Sequence, residues 1–140
     1  IHDIDLCLSL IKSDIKSIQV SGSRSHTDSI DHGIASIGFE NGSLIKLEAS
    51  RVFDTSIRQM HIEGDRKIKM DFMDRTLEIN DPQTNKLKKL VVDSTNPLKD
   101  ELHSFAESIS CSSPTKVTGS MATKALDVAL QIEQKILLTL

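Results

Sequence analysis

Apolar and polar residues alternate along the middle of this chain, whereas both of its ends show the wider apolar spacing of helices. From about residue 30 to residue 92, the alternation recurs in short segments separated by turn-forming residues, which is typical of β-strands. Near the start, and again after Asn96, apolar residues recur at intervals of three and four, as on one face of an α-helix. The order helix, strands and then two helices predicts an α+β fold.

The first predicted helix carries both an apolar stripe, formed by Ile4, Leu8 and Ile11, and a polar stripe beside it. On the polar stripe, His2 and Asp5 lie three residues apart and are therefore neighbours on the helix surface. A carboxylate in that position can orient an imidazole and raise its basicity, as a proton-transfer residue requires. The simpler interpretation is that both side chains only cover the exposed end of a helix.

Seven strand-like segments follow in succession and are joined mostly by short turns. They are Ile15–Val20, Ile30–Glu40, Ser43–Phe53, Ile57–Glu63, Lys67–Phe72, Thr76–Ile79 and Lys86–Val92. Between two of them, Asn41-Gly42 predicts a hairpin with a type I′ turn, because both residues accept a positive φ. Short connections favour antiparallel pairing. We therefore predict one large, predominantly antiparallel sheet of six or seven strands with helices packed on one face.

Two helices are predicted after the strands. Asn96-Pro97 is a typical helix start, and the expected buried stripe of this helix consists of Leu98, Leu102, Phe105 and Ile109. Gly119-Ser120 leads into the last helix, whose alanines suggest close packing. Because the helices cover one face of the sheet, the other face must meet solvent or a partner, and its mixed composition leaves a solvated surface and an oligomer interface both open.

Composition narrows the classes of function. The chain has 140 residues, enough for one domain with a core, and a net charge of -3. It lacks Trp, Tyr and any basic stripe, which argues against a nucleic-acid partner. No apolar run approaches the ~18 residues of a membrane span, so no membrane association is expected. Cys7 and Cys111 form no close pair and are expected to be reduced, which favours a cytoplasmic protein.

Arg51 interrupts the apolar positions of its predicted strand, because it lies on the same predicted face as Ile45 and Leu47. An arginine there can bind an anionic substrate, form a structural ion pair, or mark the point where the strand emerges into water. The histidines show no metal-ligand spacing, so no metal site is predicted. The absence of a glycine-rich phosphate-binding loop excludes a self-contained nucleotide-dependent enzyme.

Several segments, taken in order, resemble the C-terminal domain of the Gfo/Idh/MocA family, named after glucose–fructose oxidoreductase, inositol dehydrogenase and rhizopine catabolism. The resemblance covers nearly the whole chain and is greatest to members that act on nucleotide-linked or amino sugars. The matching segments are His2-Asp3-Ile4-Asp5-Leu6, Phe39–Leu44, Glu48–Val52, Asn96–Leu102 with Phe105, and Val117-Thr118-Gly119 before the alanine-rich helix.

The resemblance implies that residues 1–140 are a single substrate-binding and oligomerisation domain of an NAD(P)-dependent sugar or nucleotide-sugar dehydrogenase. No cofactor site is expected in this chain, because the family binds NAD or NADP in an N-terminal Rossmann domain that also carries a Glu-Lys-Pro lysine. His2 aligns with the family histidine, which accepts the substrate hydroxyl proton as hydride leaves the same carbon. The family aspartate four residues earlier would precede Ile1. Arg51 and Asp5 are the corresponding substrate-binding candidates.

The resemblance also carries expectations about partners and activity. The open sheet face of the family commonly forms a dimer interface, so a homo-oligomer is expected through that face. The isolated chain is expected to fold without dehydrogenase activity. The alternative is a non-catalytic module that uses its sheet for self-assembly or for binding a partner. A glycine-rich dinucleotide loop followed by Glu-Lys-Pro in the preceding sequence would favour the enzyme.

Overall fold

A computed structural model describes residues 1–84, 86–93 and 95–140, and the described chain forms three helices and seven strands. They follow the order α1 (His2–Leu10), β1 (Ile15–Ser23), β2 (His32–Phe39), β3 (Leu44–Ser50), β4 (Gln59–Glu63), β5 (Lys67–Asp71), β6 (Thr76–Asp81), β7 (Lys86–Val91), α2 (Pro97–Ser110) and α3 (Gly119–Leu137). The chain divides into two compact units, one of residues 1–53 and 114–140 and the other of residues 54–113.

The first unit contains an antiparallel sheet in the order β1-β2-β3. Ile37 of β2 lies between Ile18 of β1 and Ile45 of β3, and it is completely buried. Ala35 and Phe39 lie on the same face as Ile37, because residues two apart on a strand share a face, and both are buried. The alternating apolar residues of β2 therefore form its core face.

Two helices complete the core of the first unit. α3 packs against β1, and its buried Ile136 lies over Gly22 of β1 and Gly33 of β2. α1 packs against α3 and buries Ile4 and Cys7. The alanine-rich α3 approaches closely as predicted, since Ala125 is almost completely buried. Burial raises the pKa of the Cys7 thiol, and the negative charge of Asp3 adds to this effect.

The second unit contains an antiparallel meander in the order β4-β5-β6-β7, followed by α2. Two aspartates stabilise its turns. Asp71 accepts backbone hydrogen bonds from Met73 and Asp74, and Asp81 accepts them from Gln83 and Thr84. These bonds hold the pKa of both carboxyls below the ordinary value.

The prediction of one large sheet is wrong: the strands form a three-stranded and a four-stranded sheet. β3 pairs with β2, and β4 pairs with β5, so the ladder is interrupted between β3 and β4. The intervening residues 51–58 are irregular and polar around Asp54-Thr55-Ser56. Because a connection of this length does not force neighbouring strands into a hairpin, β4 begins a separate sheet.

Two local predictions also need correction. The α2 stripe of Leu98, Leu102, Phe105 and Ile109 is exposed rather than buried. The hairpin at Asn41-Gly42 exists, but its loop comprises residues 40–42, closed by a 3.0 Å bond from Phe39 N to Ser43 O. Gly42 has a φ of +83° and Asn41 does not have a positive φ, so the turn is not type I′.

Candidate functional site

His2 is the first residue of α1, and its side chain is exposed. At about 100° per residue, it lies on the opposite side of the helix from Ile4 and Cys7, the two residues that bury α1. The first turn is closed by a 2.9 Å hydrogen bond from Asp5 N to Ile1 O. The buried face of α1 thus fixes the helix, while the imidazole remains accessible to a ligand.

Asp5 is half-buried in the first turn of α1. No hydrogen bond or ion pair joins Asp5 to His2 in the part of the chain that the structure describes. A carboxylate in a first turn also interacts favourably with the helix dipole, which gives Asp5 a structural role independent of His2. The arrangement leaves both side chains available to contact a third group, such as a sugar hydroxyl.

Arg51 lies immediately after β3, and its side chain is exposed. Its backbone N–H donates a 2.8 Å hydrogen bond to the carbonyl oxygen of Asp31, which fixes the backbone at the end of the strand. Among the described residues, the guanidinium has no ion-pair partner. Of the three interpretations of Arg51, the strand end emerging into water fits this placement, and it leaves the cation free to bind an anion.

Asp31 is the residue that organises the loop between β1 and β2, and only 3% of it is exposed. Its Oδ2 accepts hydrogen bonds from the backbone N–H groups of Ser25 (2.9 Å), His26 (2.7 Å) and Thr27 (2.9 Å). Its Oδ1 accepts a 2.8 Å bond from the Thr27 hydroxyl. Three successive N–H groups that converge on one oxygen form an anion-binding nest, which here is filled by the protein's own carboxylate.

These four bonds favour the charged carboxylate and hold the pKa of Asp31 far below its ordinary value, with the bond from His26 contributing most. Asp31 was not predicted from the sequence. The available signal was a serine- and threonine-containing loop followed by an aspartate just before a strand, a pattern typical of side-chain to backbone bonding. Through its carbonyl, Asp31 also connects this loop to the backbone of Arg51.

A second feature missed in the sequence is a histidine–carboxylate pair on the first sheet. His32 Nε2 lies 3.1 Å from Glu48 Oε1, and the His32 ring centroid lies 6.1 Å from that of Phe53 with a tilt of 58°. Gly33 faces α3, so His32 and Glu48 lie on the opposite, open face of the sheet. The pair is diagonal across β2 and β3, and it can be recognised only when the strand register is known.

The described residues do not fit a nicotinamide dinucleotide. Such a cofactor is held by a parallel βαβ unit with a glycine-rich loop before the helix, and every strand pair described here is antiparallel. Within residues 1–84, 86–93 and 95–140, no three His, Cys, Asp or Glu side chains are gathered as potential metal ligands. None of the described helices is long and apolar enough to span a membrane.

Comparison with known proteins identifies relatives over nearly the whole chain. Residues 1–68 match the sequence model of the GFO/IDH/MocA C-terminal domain. The UDP-N-acetylglucosamine 3-dehydrogenase of Acidithiobacillus ferrooxidans is 30% identical over 141 aligned residues, which cover 94% of this chain and 45% of that enzyme. The chain therefore spans about half the length of this curated relative.

Solved structures show the same relationship. A structure of the Acidithiobacillus ferrooxidans enzyme matches with a TM-score of 0.90 and 27% identity, over 96% of this chain and 44% of that one. A dehydrogenase from Clostridium difficile matches with a TM-score of 0.78 and 19% identity, over 99% of this chain and 46% of that one, which demonstrates the shared fold.

Proposed function

This chain belongs to the Gfo/Idh/MocA family through its C-terminal domain, and from that premise we propose that it is the substrate-binding domain of a nucleotide-sugar dehydrogenase. The reaction class is the oxidation of a substrate CH–OH group. NAD or NADP is proposed to bind to residues outside this chain, because the described residues do not fit a dinucleotide. The chain alone is therefore expected to have no dehydrogenase activity.

The observation that carries the proposal is the position of His2. Its imidazole is exposed at the first turn of a helix whose other side is buried through Ile4 and Cys7. A side chain held by a rigid helix but open to solvent can contact a sugar hydroxyl and accept its proton on a ring nitrogen. Asp5 is one turn along the same surface and is proposed to accept a hydrogen bond from the substrate.

The proposed substrate is a nucleotide sugar, because the relative that matches along nearly the whole chain is named as a UDP-N-acetylglucosamine 3-dehydrogenase. Such a substrate carries a diphosphate. Arg51 is the proposed contact for an anionic group, since a guanidinium can form two parallel hydrogen bonds with phosphate oxygens. Its backbone is fixed by the bond to Asp31, so the binding of an anion requires only ordering of the side chain.

A homo-oligomer is proposed through the open face of the first sheet. This face is opposite Gly33 and Ala35, which face the core, and it carries small and mixed residues, including Ser36, Leu44 and the His32–Glu48 pair. Leu44 is 70% exposed, which is unfavourable in water and favours burial against a partner.

The roles of His2 and Arg51 can be separated by kinetics in a longer protein in which a dinucleotide-binding domain is joined to this chain. We predict that His2→Ala lowers kcat by about two to four orders of magnitude, as expected for a positioned acid or base, and that added imidazole restores part of the rate. Arg51→Ala should raise KM for the nucleotide sugar more than it lowers kcat, because an anchoring charge is present in both ground and transition states.

His26→Ala is the matched control, since the backbone N–H is the one group of this exposed histidine that bonds to another described residue. The control should leave both constants near those of the unmodified protein. If His2→Ala changes KM alone, His2 binds substrate without transferring a proton, and the proposed role is wrong.

The alternative function is a non-catalytic module that uses its sheet to bind itself or another protein. It is favoured by one observation, the lack of a contact between His2 and Asp5 in the described chain. The alternative predicts no sugar-dependent reduction of nicotinamide by the longer protein, whereas the enzyme hypothesis requires it.

A further inference from the structure

α2 exposes its entire apolar stripe. Leu98, Leu102, Phe105 and Ile109 are 64%, 60%, 56% and 66% exposed, and α2 buries no residue. The helix nevertheless has well-formed ends, since the Asn96 side chain accepts a 3.2 Å hydrogen bond from Lys99 N and Pro97 follows it. A stable, amphipathic helix with four large apolar side chains in water is typical of a protein-binding surface.

The spacing of the stripe is that of a helix–helix seam. The four residues follow one another at intervals of four, three and four, which is the alternation of the core positions of a heptad repeat. At about 100° per residue, all four fall within a sector of ~60°. So narrow a stripe fits one facing helix better than the wide surface of a sheet.

The seam is also symmetric about its own middle. Reversal of the helix direction exchanges Leu98 with Ile109 and Leu102 with Phe105, so the interval order four, three, four is unchanged. An isologous two-fold contact requires this property, because each copy must present the same surface in the opposite direction. The seam therefore fits an antiparallel copy of itself.

The charges beside the seam permit such a pairing. Lys99 and Ala106 border one side, and Glu101 and Ser108 border the other. In an antiparallel pair of helices, each side faces its own counterpart, which brings Lys99 near Ala106 of the second copy and Glu101 near Ser108 of the second copy. No like charges meet, and the remaining charges of α2 point away from the seam.

We propose that α2 forms an antiparallel, two-fold pair with α2 of a second copy of this chain. Leu98 of each copy would pack against Ile109 of the other, and Leu102 against Phe105. If each of the four side chains buries ~100 Å², the pair buries ~800 Å² in total, which is below the ~1,200–2,000 Å² of stable complexes. The association is therefore expected to be weak and concentration-dependent, and it is separate from the interface proposed on the open sheet face.

Sedimentation of the 140-residue chain at increasing concentration tests the proposal. The unmodified chain should show an association step that the double substitution Leu102→Asp with Phe105→Asp removes. The control is His103→Asp, which places one of these two negative charges on the other side of α2 and should leave the association unchanged. Because α2 buries no residue, the double variant should retain the helix content seen by circular dichroism.

Failure of the double variant to change the sedimentation profile, or the absence of any association step in the unmodified chain, would overturn the proposal. Equal loss of association in the double variant and in the His103→Asp control would do so too, because the effect would then not depend on the seam. These outcomes leave the proposed enzymatic function untouched, since neither His2 nor Arg51 lies in α2.

The orientation of the pair can be measured independently with the native thiol Cys111, which is exposed at the end of α2, whereas Cys7 is buried. In the antiparallel arrangement the two Cys111 residues lie at opposite ends, ~22 Å apart along the axis for a rise of about 1.5 Å per residue. Spin labels on Cys111 should give one distance population of ~20–30 Å. A population below ~15 Å indicates parallel helices and overturns the proposal.

Discussion

At the residue scale, Asp31 connects the loop that precedes β2 to the end of β3. Its carboxylate accepts three backbone N–H groups and one hydroxyl, and its own carbonyl accepts the N–H of Arg51. Because a single carboxylate accepts all of these donors, it favours one conformation of the exposed loop. Asp31 therefore fixes the backbone position of Arg51.

We predict that Asp31→Ala lowers the stability of the chain more than Asp31→Asn does. Alanine leaves the N–H groups of Ser25, His26 and Thr27 without an acceptor, whereas the asparagine carbonyl can accept from them and its amide can donate to the Thr27 hydroxyl. Urea denaturation measures the difference. Asp28→Asn in the same loop is the control and should have little effect. If alanine and asparagine lower the free energy of unfolding equally, the hydrogen bonds to Asp31 are not the source of this stability.

The same residue predicts a pH dependence. Because the folded chain lowers the pKa of Asp31, its contribution to stability is fully present above the unfolded-state pKa of ~3.9 and is lost as the pH falls through the lower folded-state value. The stability difference between the unmodified chain and Asp31→Asn should therefore shrink as the pH is lowered from about 6 to about 2. A difference that stays constant over this range would show that the charge is not involved.

At the element scale, the packing of α3 on the first sheet depends on the absence of a side chain at Gly22. A Cβ at that position would overlap Cγ2 of the buried Ile136 and lie 3.1 Å from the carbonyl oxygen of His32. At Gly33, an added Cβ would lie 3.2 Å from Cδ1, the flexible end of the same side chain. An added side chain is thus expected to disturb the packing of α3 on the sheet more at Gly22 than at Gly33.

Gly22→Ala is predicted to lower the free energy of unfolding by about 1–3 kcal/mol, the usual cost of overpacking a core. Ile136→Leu removes the β-branch that clashes, so the double variant should recover about 1 kcal/mol or more relative to the sum of the single changes. Gly64→Ala is the control, because an added Cβ there has no neighbour within 4 Å. Additive effects of the two core substitutions would rule out this contact as the cause.

The hairpin between β2 and β3 shows what the sequence could predict and what it could not. Alternation in the sequence puts Ala35, Ile37 and Phe39 on one face of β2, and the structure buries this face together with Ile45. A two-residue turn pairs Ile37 with Lys46, whereas the observed three-residue loop pairs Ile37 with Ile45. A shift of one residue reverses the faces of a strand, so burial of Ile37 and Ile45 on the same face requires a loop with an odd number of residues. This requirement outweighed the preference of Asn-Gly for a two-residue turn.

Other features depended on information that a periodic pattern does not contain. The α2 stripe was read correctly as apolar and helical, but the pattern cannot tell whether the surface that covers a stripe belongs to the same chain. Similarly, alternation identified all seven strands but not the end of the ladder after β3, since pairing depends on how residues 51–58 direct the chain. The spacing from Asp5 and the family resemblance both single out His2, whose role stays a prediction, whereas the nest around Asp31 required coordinates.

At the scale of the whole molecule, the two compact units differ in how they bury apolar residues. All of the buried apolar side chains in the described chain lie in the unit of residues 1–53 and 114–140, which also holds His2, Asp5 and Arg51. The unit of residues 54–113 contains the partly buried strands β4–β6, the exposed strand β7 and the exposed α2 seam. This division suggests that the first unit carries the proposed chemistry and the second carries an association surface.

The formation of reduced nicotinamide decides whether this chain is the substrate domain of a nucleotide-sugar dehydrogenase. A protein that joins this chain to a dinucleotide-binding domain should reduce NAD⁺ or NADP⁺ when UDP-N-acetylglucosamine or a related nucleotide sugar is added. His2→Ala should abolish most of this rate, and the 140-residue chain alone should show none. A folded longer protein that reduces neither cofactor with any nucleotide sugar or amino sugar would contradict the claim, as would turnover by the 140-residue chain alone.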